Sequence, residues 1–238
     1  MRLALVTGSS RGLGAVIAQR LARDGMAVVV NSLHGDAQLD GVVAAIRADG
    51  GTAMAFAADV TDEEQVAALG AAVGPVDVLV LNATGPQPEG FIADIGWAEH
   101  LAQLDFFVRS PLLLGRALLP GMRERRYGRI VQIDSEVAHR PPPGRSAYAT
   151  AKNAQVGLTL AWARELAPDG ITVNTVAPGF IPVERHAGEP LEPYLATVPM
   201  GRMGTPDDIA HTVSFLASEG AGFVTGQRIV VDGGRALG

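Results

Sequence analysis

The stretch Leu3-Ala-Leu-Val-Thr-Gly-Ser-Ser-Arg-Gly-Leu-Gly14 decides the reading of this chain. An apolar run ends at Thr7 and passes straight into a loop carrying Gly8, Gly12 and Gly14. A helical pattern then begins at Gly12. Glycines at these three positions let a backbone turn tightly and approach a pyrophosphate. The helix start supplies unpaired N–H groups and the positive end of its dipole. Loops often hold glycine merely to turn, but here the strand before and the helix after complete the context that the motif requires. Thr7, Gly8, Ser10, Arg11, Gly12, Leu13 and Gly14 are therefore candidate cofactor contacts.

Outward from this loop, short β-branched runs alternate with longer helical patterns. Strands are expected at 3–7, 27–31, 52–57, 76–81, 129–134, 172–177 and 228–231. Helices are expected at 12–23, 37–48, 63–72, 97–125, 147–167 and 206–217. The strands are apolar without alternation, which predicts parallel strands covered on both faces. Thr205-Pro-Asp-Asp208 combines an N-cap, a first-turn proline and acids at the positive dipole end. Strand–helix alternation along the whole length predicts an α/β, single-domain Rossmann fold over residues 1–238, with a doubly wound seven-stranded parallel sheet. The proline-rich stretch at about 181–203 is the natural candidate for a mobile lid.

Composition narrows the classes. The chain has 238 residues, 47% hydrophobic and 18% charged, enough for a sizeable core and against disorder. With no cysteine, a disulfide scaffold and a thiolate metal site are excluded, and no metal is expected. The formal net charge of −6 argues against nonspecific nucleic-acid binding. The opening apolar run is too short for a signal peptide, and no run approaches the roughly 18 apolar residues of a membrane helix. A cytoplasmic location is expected. Of 19 basic residues, 18 are arginine, and the only lysine is Lys152.

Charge decides between nucleotides. Sites for NAD usually place an acid at the end of the second strand, for the ribose hydroxyls. Here that end reads Asn31-Ser32-Leu33-His34, with no acid. Arg11 and Ser32 are placed to meet a 2′-phosphate, so NADP(H) is the expected cofactor, with Asn31 beside it. Tyr148 and Lys152 lie four apart on a predicted helix and share one face. Ser135 follows the fifth strand, at the edge where open α/β sheets bind ligands. A phenol with a pKa near 10 is a poor acid at neutral pH, and a neighbouring ammonium would lower that value. Ser135 is suited to hydrogen-bond an oxygen on which charge develops. In isolation, a Tyr and a Lys at this spacing would be an ordinary surface pair.

These residues, with Asp59-Val60, Asn82-Ala83, Asn174, Pro178-Gly179 and Asp232-Gly-Gly234, resemble the short-chain dehydrogenase/reductase family over nearly the whole chain. The resemblance extends to 3-oxoacyl-[acyl-carrier-protein] reductases. It implies Tyr148 as general acid in carbonyl reduction, Lys152 as holder of the nicotinamide ribose and tuner of Tyr148, and Ser135 as orienter of the carbonyl. Asp59 and Val60 would flank the adenine, Asn82 and Ala83 the ribose, and Pro178, Gly179 and Ile181 the nicotinamide. It also implies a small carbonyl substrate, free or bound to acyl carrier protein, and a homotetramer or dimer. Two alternatives stand beside this reading: an alcohol or sugar dehydrogenase running toward oxidation, and an NADP-binding scaffold impaired in turnover.

The departures are specific. The family reads Asn-Asn-Ala-Gly after the fourth strand, where this chain has Leu81-Asn82-Ala83-Thr84. The family's threonine after Pro-Gly is missing from Phe180-Ile-Pro-Val-Glu184. The asparagine that completes the family's catalytic set in the long helix is replaced by Phe107, which has no polar handle. Asp105 or Ser110 would substitute only in a different helix register. Glu184, Glu189 and Glu192 make the lid acidic. Of the two basic positions used to dock a carrier protein, Arg126 matches and Asp169 does not. Phe106, Phe107 and Leu112–Leu114 offer apolar surface for subunit assembly, or for the core.

Overall fold

A computed structural model of the chain describes residues 1–237, the side chain of Arg185 apart. The runs of Val, Ile and Leu form β1 (Leu3–Val6), β2 (Ala27–Ser32), β3 (Thr52–Ala57), β4 (Val78–Leu81), β5 (Gly128–Ile133), β6 (Ile171–Pro178) and β7 (Arg228–Val231). All six pairings are parallel, in the order β3-β2-β1-β4-β5-β6-β7. The order reverses between β1 and β4, which opens the crevice beyond their carboxyl ends.

The connections are α1 (Gly12–Arg23), α2 (Ala37–Ala48), α3 (Glu63–Val73), α4 (Trp97–Leu104), α5 (Ser110–Arg125), α6 (Ser146–Leu166), α7 (Glu192–Leu195) and α8 (Pro206–Ala217). Because successive strand residues point to opposite faces, two cores form. Val6, Val28 and Val30 meet Ile17 and Leu21 of α1, Ile46 of α2 and Ile209 of α8. Leu5, Val29 and Leu79 meet Leu69 of α3, Leu114 and Met122 of α5 and Leu166 of α6.

The expectation of strands covered on both faces holds for β2, β4, β5 and β6, which are buried at every residue. It fails at the two edges. Met54 of β3 is 43% exposed and Val230 of β7 is 37% exposed. Strands β4 and β5 also begin at Val78 and Gly128, two residues later and one residue earlier than expected. The start of α8 follows its sequence signal. Thr205 Oγ1 accepts from the Asp208 amide, and Asp208 Oδ2 accepts from the Thr205 amide at 2.8 Å. The Arg202 guanidinium and these local donors hold the Asp208 carboxyl well below the usual range.

The expected 97–125 helix is not uniform. Between α4 and α5, Asp105–Arg109 form a π turn, in which the Ser110 amide reaches back to Asp105 O. Pro111 supplies the cause. It has no N–H to return to Phe107 O, and an α-helical ring at that point would crowd the same carbonyl. Widening the turn relieves both and directs Phe107 inward, where it is 2% exposed. Leu113 and Leu114 are likewise core residues, so of the apolar positions expected to offer an assembly surface, only Leu112, at 39% exposed, is an open one.

Candidate active site

The glycine loop is built by close approach. Gly8 and Gly12 have φ of +61° and +55°, the left-handed region that favours glycine. A Cβ on Gly14 would lie 2.4 Å from Gly8 O and 2.5 Å from Asn82 Nδ2. The surrounding polar groups tie the loop down. Thr7 Oγ1 accepts from the amides of Asn82 and Ala83, each at 3.0 Å, and Asn82 Nδ2 donates to Thr7 O and Gly8 O. The side chains of Thr7 and Asn82 therefore join β1 to β4 across the crevice. Helix α1 starts at Arg11 with no side-chain cap and no acid in its first turn. A strand edge, a cradle that a Cβ would fill and an uncapped positive helix end fit a dinucleotide pyrophosphate.

Asn31 was expected beside the cofactor, but its side chain faces inward. Its Oδ1 accepts from the Gly8 amide, and its Nδ2 donates to the carbonyls of Ser32, Phe56 and Ala58. Ser32 is 8% exposed and donates to His34 O. These side chains close off the end of β2 beside the glycine loop, and Arg11 of that loop is exposed. Val60 and Ile181 bury their side chains in the two cores. Asp59 Oδ1 accepts from the amide and hydroxyl of Thr61. Ser9 lacks a motif signal, yet it is fully buried and locks the loop to β2: its amide donates to Asn31 O at 2.7 Å, and its Oγ donates to Val6 O and accepts from the Asn31 amide.

The candidate catalytic side chains gather after β5 and along the first turns of α6. Ser135 follows β5, and its Oγ accepts from the Val137 amide at 3.2 Å, which leaves the hydroxyl hydrogen to donate elsewhere. Lys152 is 3% exposed. Its Nζ donates to Ile133 O at 2.6 Å, two residues before Ser135, and lies 5.6 Å from the centre of the Tyr148 ring. Burial lowers its pKa from 10.5 to about 7, against the opposing attraction of Asp134. Asp134 itself is ion-paired to Arg228 at 2.7 Å.

Two further groups touch Lys152. Gln155 Oε1 accepts from Nζ at 3.2 Å, and the centre of the Phe107 ring lies 3.7 Å from Nζ. Phe107 also meets Tyr148 edge-on, with centroids 5.5 Å apart. Phe107 thus has a handle after all, in its π face. Asp105 pairs with Arg109 instead, at 3.9 Å. Gln155 falls one turn beyond Lys152 on the same face, so helical periodicity alone points it at the site.

Over the crevice, Tyr194 is one of several ties on the 181–203 segment, with Thr197 to Arg235, Met200 N to Gly233 O and Arg202 to Asp208. Tyr194 Oη accepts from the Phe180 amide at 2.7 Å and donates to Glu136 Oε1 at 2.9 Å, while Glu136 Oε2 receives Arg235 at 2.8 Å. Burial first, and then the Glu136 carboxylate, push the Tyr194 phenol up to about 12, against the Phe180 hydrogen bond and Arg235. Val183 and Glu184 pass over the glycine loop: a Cβ on Gly12 would meet Val183 Cγ2 and Glu184 Oε2 at 3.7 Å. A cavity of about 230 Å³ lies under this segment, lined by Gly179, Ile181, Tyr194 and Asp232 among others. It does not include Ser135, Tyr148 or Lys152.

The basic cluster before β5 is largely engaged within the chain. Arg123 pairs with Asp169 at 2.8 Å, Arg125 with Asp77 at 3.1 Å, and Arg126 donates to Pro168 O. Arg129 is 5% exposed, and its guanidinium lies over the Tyr127 ring. No helix among the described residues is long and apolar enough to cross a membrane.

Comparison with known proteins places this architecture. A family model described as enoyl-(acyl carrier protein) reductase matches residues 8–236. The chain is 37% identical to a 3-oxoacyl-[acyl-carrier-protein] reductase of Synechocystis over 99% of its own length and 97% of the relative's. It is 38% identical to human dehydrogenase/reductase SDR family member 4, covering 98% of this chain and 87% of that one. A solved 3-oxoacyl (acyl-carrier-protein) reductase of Agrobacterium tumefaciens with NADP bound superposes with a TM-score of 0.90 at 35% identity, covering 98% and 93% of the two chains.

Proposed function

The chain belongs to the short-chain dehydrogenase/reductase family, and from that premise we propose that it reduces a ketone to an alcohol with NADPH through Ser135, Tyr148 and Lys152. The observation that carries the proposal is the placement of a buried lysine ammonium between the Ile133 carbonyl and the Tyr148 ring, at the end of the strand that presents Ser135.

Bound in the crevice, the cofactor supplies a hydride to the carbonyl carbon. Gly12 and Gly14 and the first amides of α1 receive its pyrophosphate, and Arg11 meets the 2′-phosphate. The Ser135 hydroxyl donates to the substrate oxygen while its Oγ stays anchored by Val137. Tyr148 gives that oxygen its proton. The new O–H bond forms as the phenol O–H breaks, and the resulting phenolate faces the Lys152 charge. One hydride and one proton are added, and solvent returns the proton to Tyr148.

A 3-oxoacyl thioester is the substrate class we favour. The relatives named above support it, as does an apolar rim. Phe91 and Ile92 are 66% and 86% exposed. They sit on a loop tied to the start of α6 by a Gly90-to-Gly144 hydrogen bond. Half of the carrier-docking pattern around Arg126 is missing, because the acid Asp169 stands at the second basic position, where it pairs with Arg123.

The test is NADPH oxidation across a panel of ketones and 3-oxoacyl thioesters. The wild type should turn over at least one of them, and Tyr148→Phe should lose about 10²–10⁴-fold in kcat while still binding NADPH. A wild-type protein that binds NADPH but oxidises it with no member of the panel would sink the proposal.

A further inference from the structure

Tyr148, Lys152, Gln155 and Thr159 form a buried stripe along α6, at 9%, 3%, 1% and 2% exposure. Spacings of four, three and four residues keep them on one helix face. The lower half of the stripe satisfies itself. Thr159 Oγ1 contacts Thr175 Oγ1 at 2.7 Å, accepts from Gln132 Nε2 at 2.9 Å and reaches Gln155 O. The upper half is different, because it must hold an ammonium away from water. A protein interior accepts an isolated cation poorly, so each attraction toward Nζ decides whether the charge persists.

We propose that Gln155 and Phe107 together are positioning residues for Lys152, in a chain whose long helix lacks the family's asparagine. Gln155 gives Nζ a carboxamide oxygen at 3.2 Å from the lysine's own helix. Phe107 gives it a ring face at 3.7 Å from the neighbouring one. With Ile133 O at 2.6 Å from β5, the ammonium has three partners from three elements. A cation over an aromatic face is held most strongly where water is excluded, as here.

The two residues are coupled to the backbone that carries them. The π turn forced at Pro111 directs Phe107 inward, and the ring's edge contact with Tyr148 then spaces the phenol from the ammonium. The titratable groups facing Lys152 among the described residues are Tyr148 on α6 and Asp134 after β5, the latter shared with Arg228. The lowered pKa of about 7 leaves the charge finely balanced at neutral pH, so losing either partner should be visible.

The inference rests on the reductase reading above, but its main test does not need turnover. Lys152 is the only lysine, so protein labelled with 13C at lysine Cε gives one side-chain signal whose titration reports this site alone. Gln155→Leu and Phe107→Leu should each move that titration to lower pH. Gln155→Glu should move it to higher pH, and Phe107→Tyr, which keeps the ring, should leave it near the wild type. In turnover, Gln155→Leu and Phe107→Leu should lose about tenfold or more in kcat at pH 8 and less at pH 6, with the KM for NADPH changed far less.

Should Gln155→Leu fold poorly, Gln155→Met keeps the length without the acceptor and is read in its place. Unchanged midpoints in folded Gln155 and Phe107 variants would overturn the inference. Absence of turnover with every carbonyl would overturn the reductase reading and leave the titration to decide this one.

Discussion

The corner where β5 meets α6 and the 181–203 segment face each other across one crevice, and they are held in opposite ways. Lys152 is fixed by a strand carbonyl, a buried carboxamide and an aromatic ring, each from an element packed into the core. The segment opposite has a single four-residue α-helix, and it is joined to its surroundings by hydrogen bonds and an ion pair: Tyr194 between Phe180 and Glu136, Thr197 to Arg235, Met200 N to Gly233 O and Arg202 to Asp208. Chemistry that needs a fixed geometry sits on the rigid side. The side that must admit a ligand is joined by a few exchangeable hydrogen bonds, as expected of low-stability functional regions.

The rigid side also carries a cost, and Lys152→Met should expose it most strongly. A folded-state pKa near 7 against 10.5 for an unperturbed lysine means that the unfolded chain binds more protons between those values. The stability of the wild type should therefore rise as pH increases from 7 toward 10.5, with the penalty for burying the charge fully present below about pH 7. Lys152→Met removes that penalty while abolishing turnover. It should melt several degrees above the wild type at pH 6, with the difference shrinking by pH 10. Thermal melts at the two values decide the matter, and a gap independent of pH would show that the ammonium is not the source of the cost.

On the side of the 181–203 segment, Tyr194→Phe keeps the ring under Arg235 but loses the bonds to Phe180 N and Glu136. The expected result is proteolytic cleavage within 181–203 at protease levels that leave the wild type intact, with KM for the carbonyl substrate raised about tenfold and kcat changed less. Loss of one such hydrogen-bonding group is worth about 1–2 kcal/mol, so the fold should survive. A larger effect on kcat than on KM would mean that Tyr194 supports the reacting corner through Glu136 rather than the segment above it.

What the sequence revealed follows the same division. The parallel sheet was legible because buried strands read as unbroken apolar runs, and the glycine loop because glycine is favoured at the +61° and +55° turns and required by the close approach at Gly14. The edge strands misled for a physical reason: Met54 and Val230 are apolar but open, and composition does not record which strand lies outermost. Tyr148 and Lys152 were visible through helical spacing. Gln155 was visible in principle on the same face, but glutamine carries no motif. Phe107 read as a loss because a side-chain inventory lists polar atoms and omits the π face, whose use depends on an ammonium brought from another helix. The Tyr194–Glu136–Arg235 cluster joins residues up to 99 positions apart, a contact that no local pattern encodes.

The smallest expected effects concern the cofactor end, where the two sides of the crevice meet. Arg11 is the N-cap of α1, and Glu184 approaches Gly12 from the 181–203 segment. The two carry opposite charges beside the same uncapped helix end, which favours anions. Exposed charges interact weakly and are screened by salt, so effects of about threefold to tenfold are expected, smaller than the loss predicted for Tyr148→Phe. Arg11→Gln should weaken NADPH binding about tenfold and NADH binding less, since both carry the pyrophosphate but only NADPH carries the 2′-phosphate. Glu184→Gln should tighten both cofactors about threefold, because the pyrophosphate is common to them. Fluorescence titrations at low and high salt separate the two residues. If Glu184→Gln acts on NADPH alone, the carboxylate faces the 2′-phosphate rather than the pyrophosphate, and the 181–203 segment lies nearer the adenosine end than its approach to Gly12 implies.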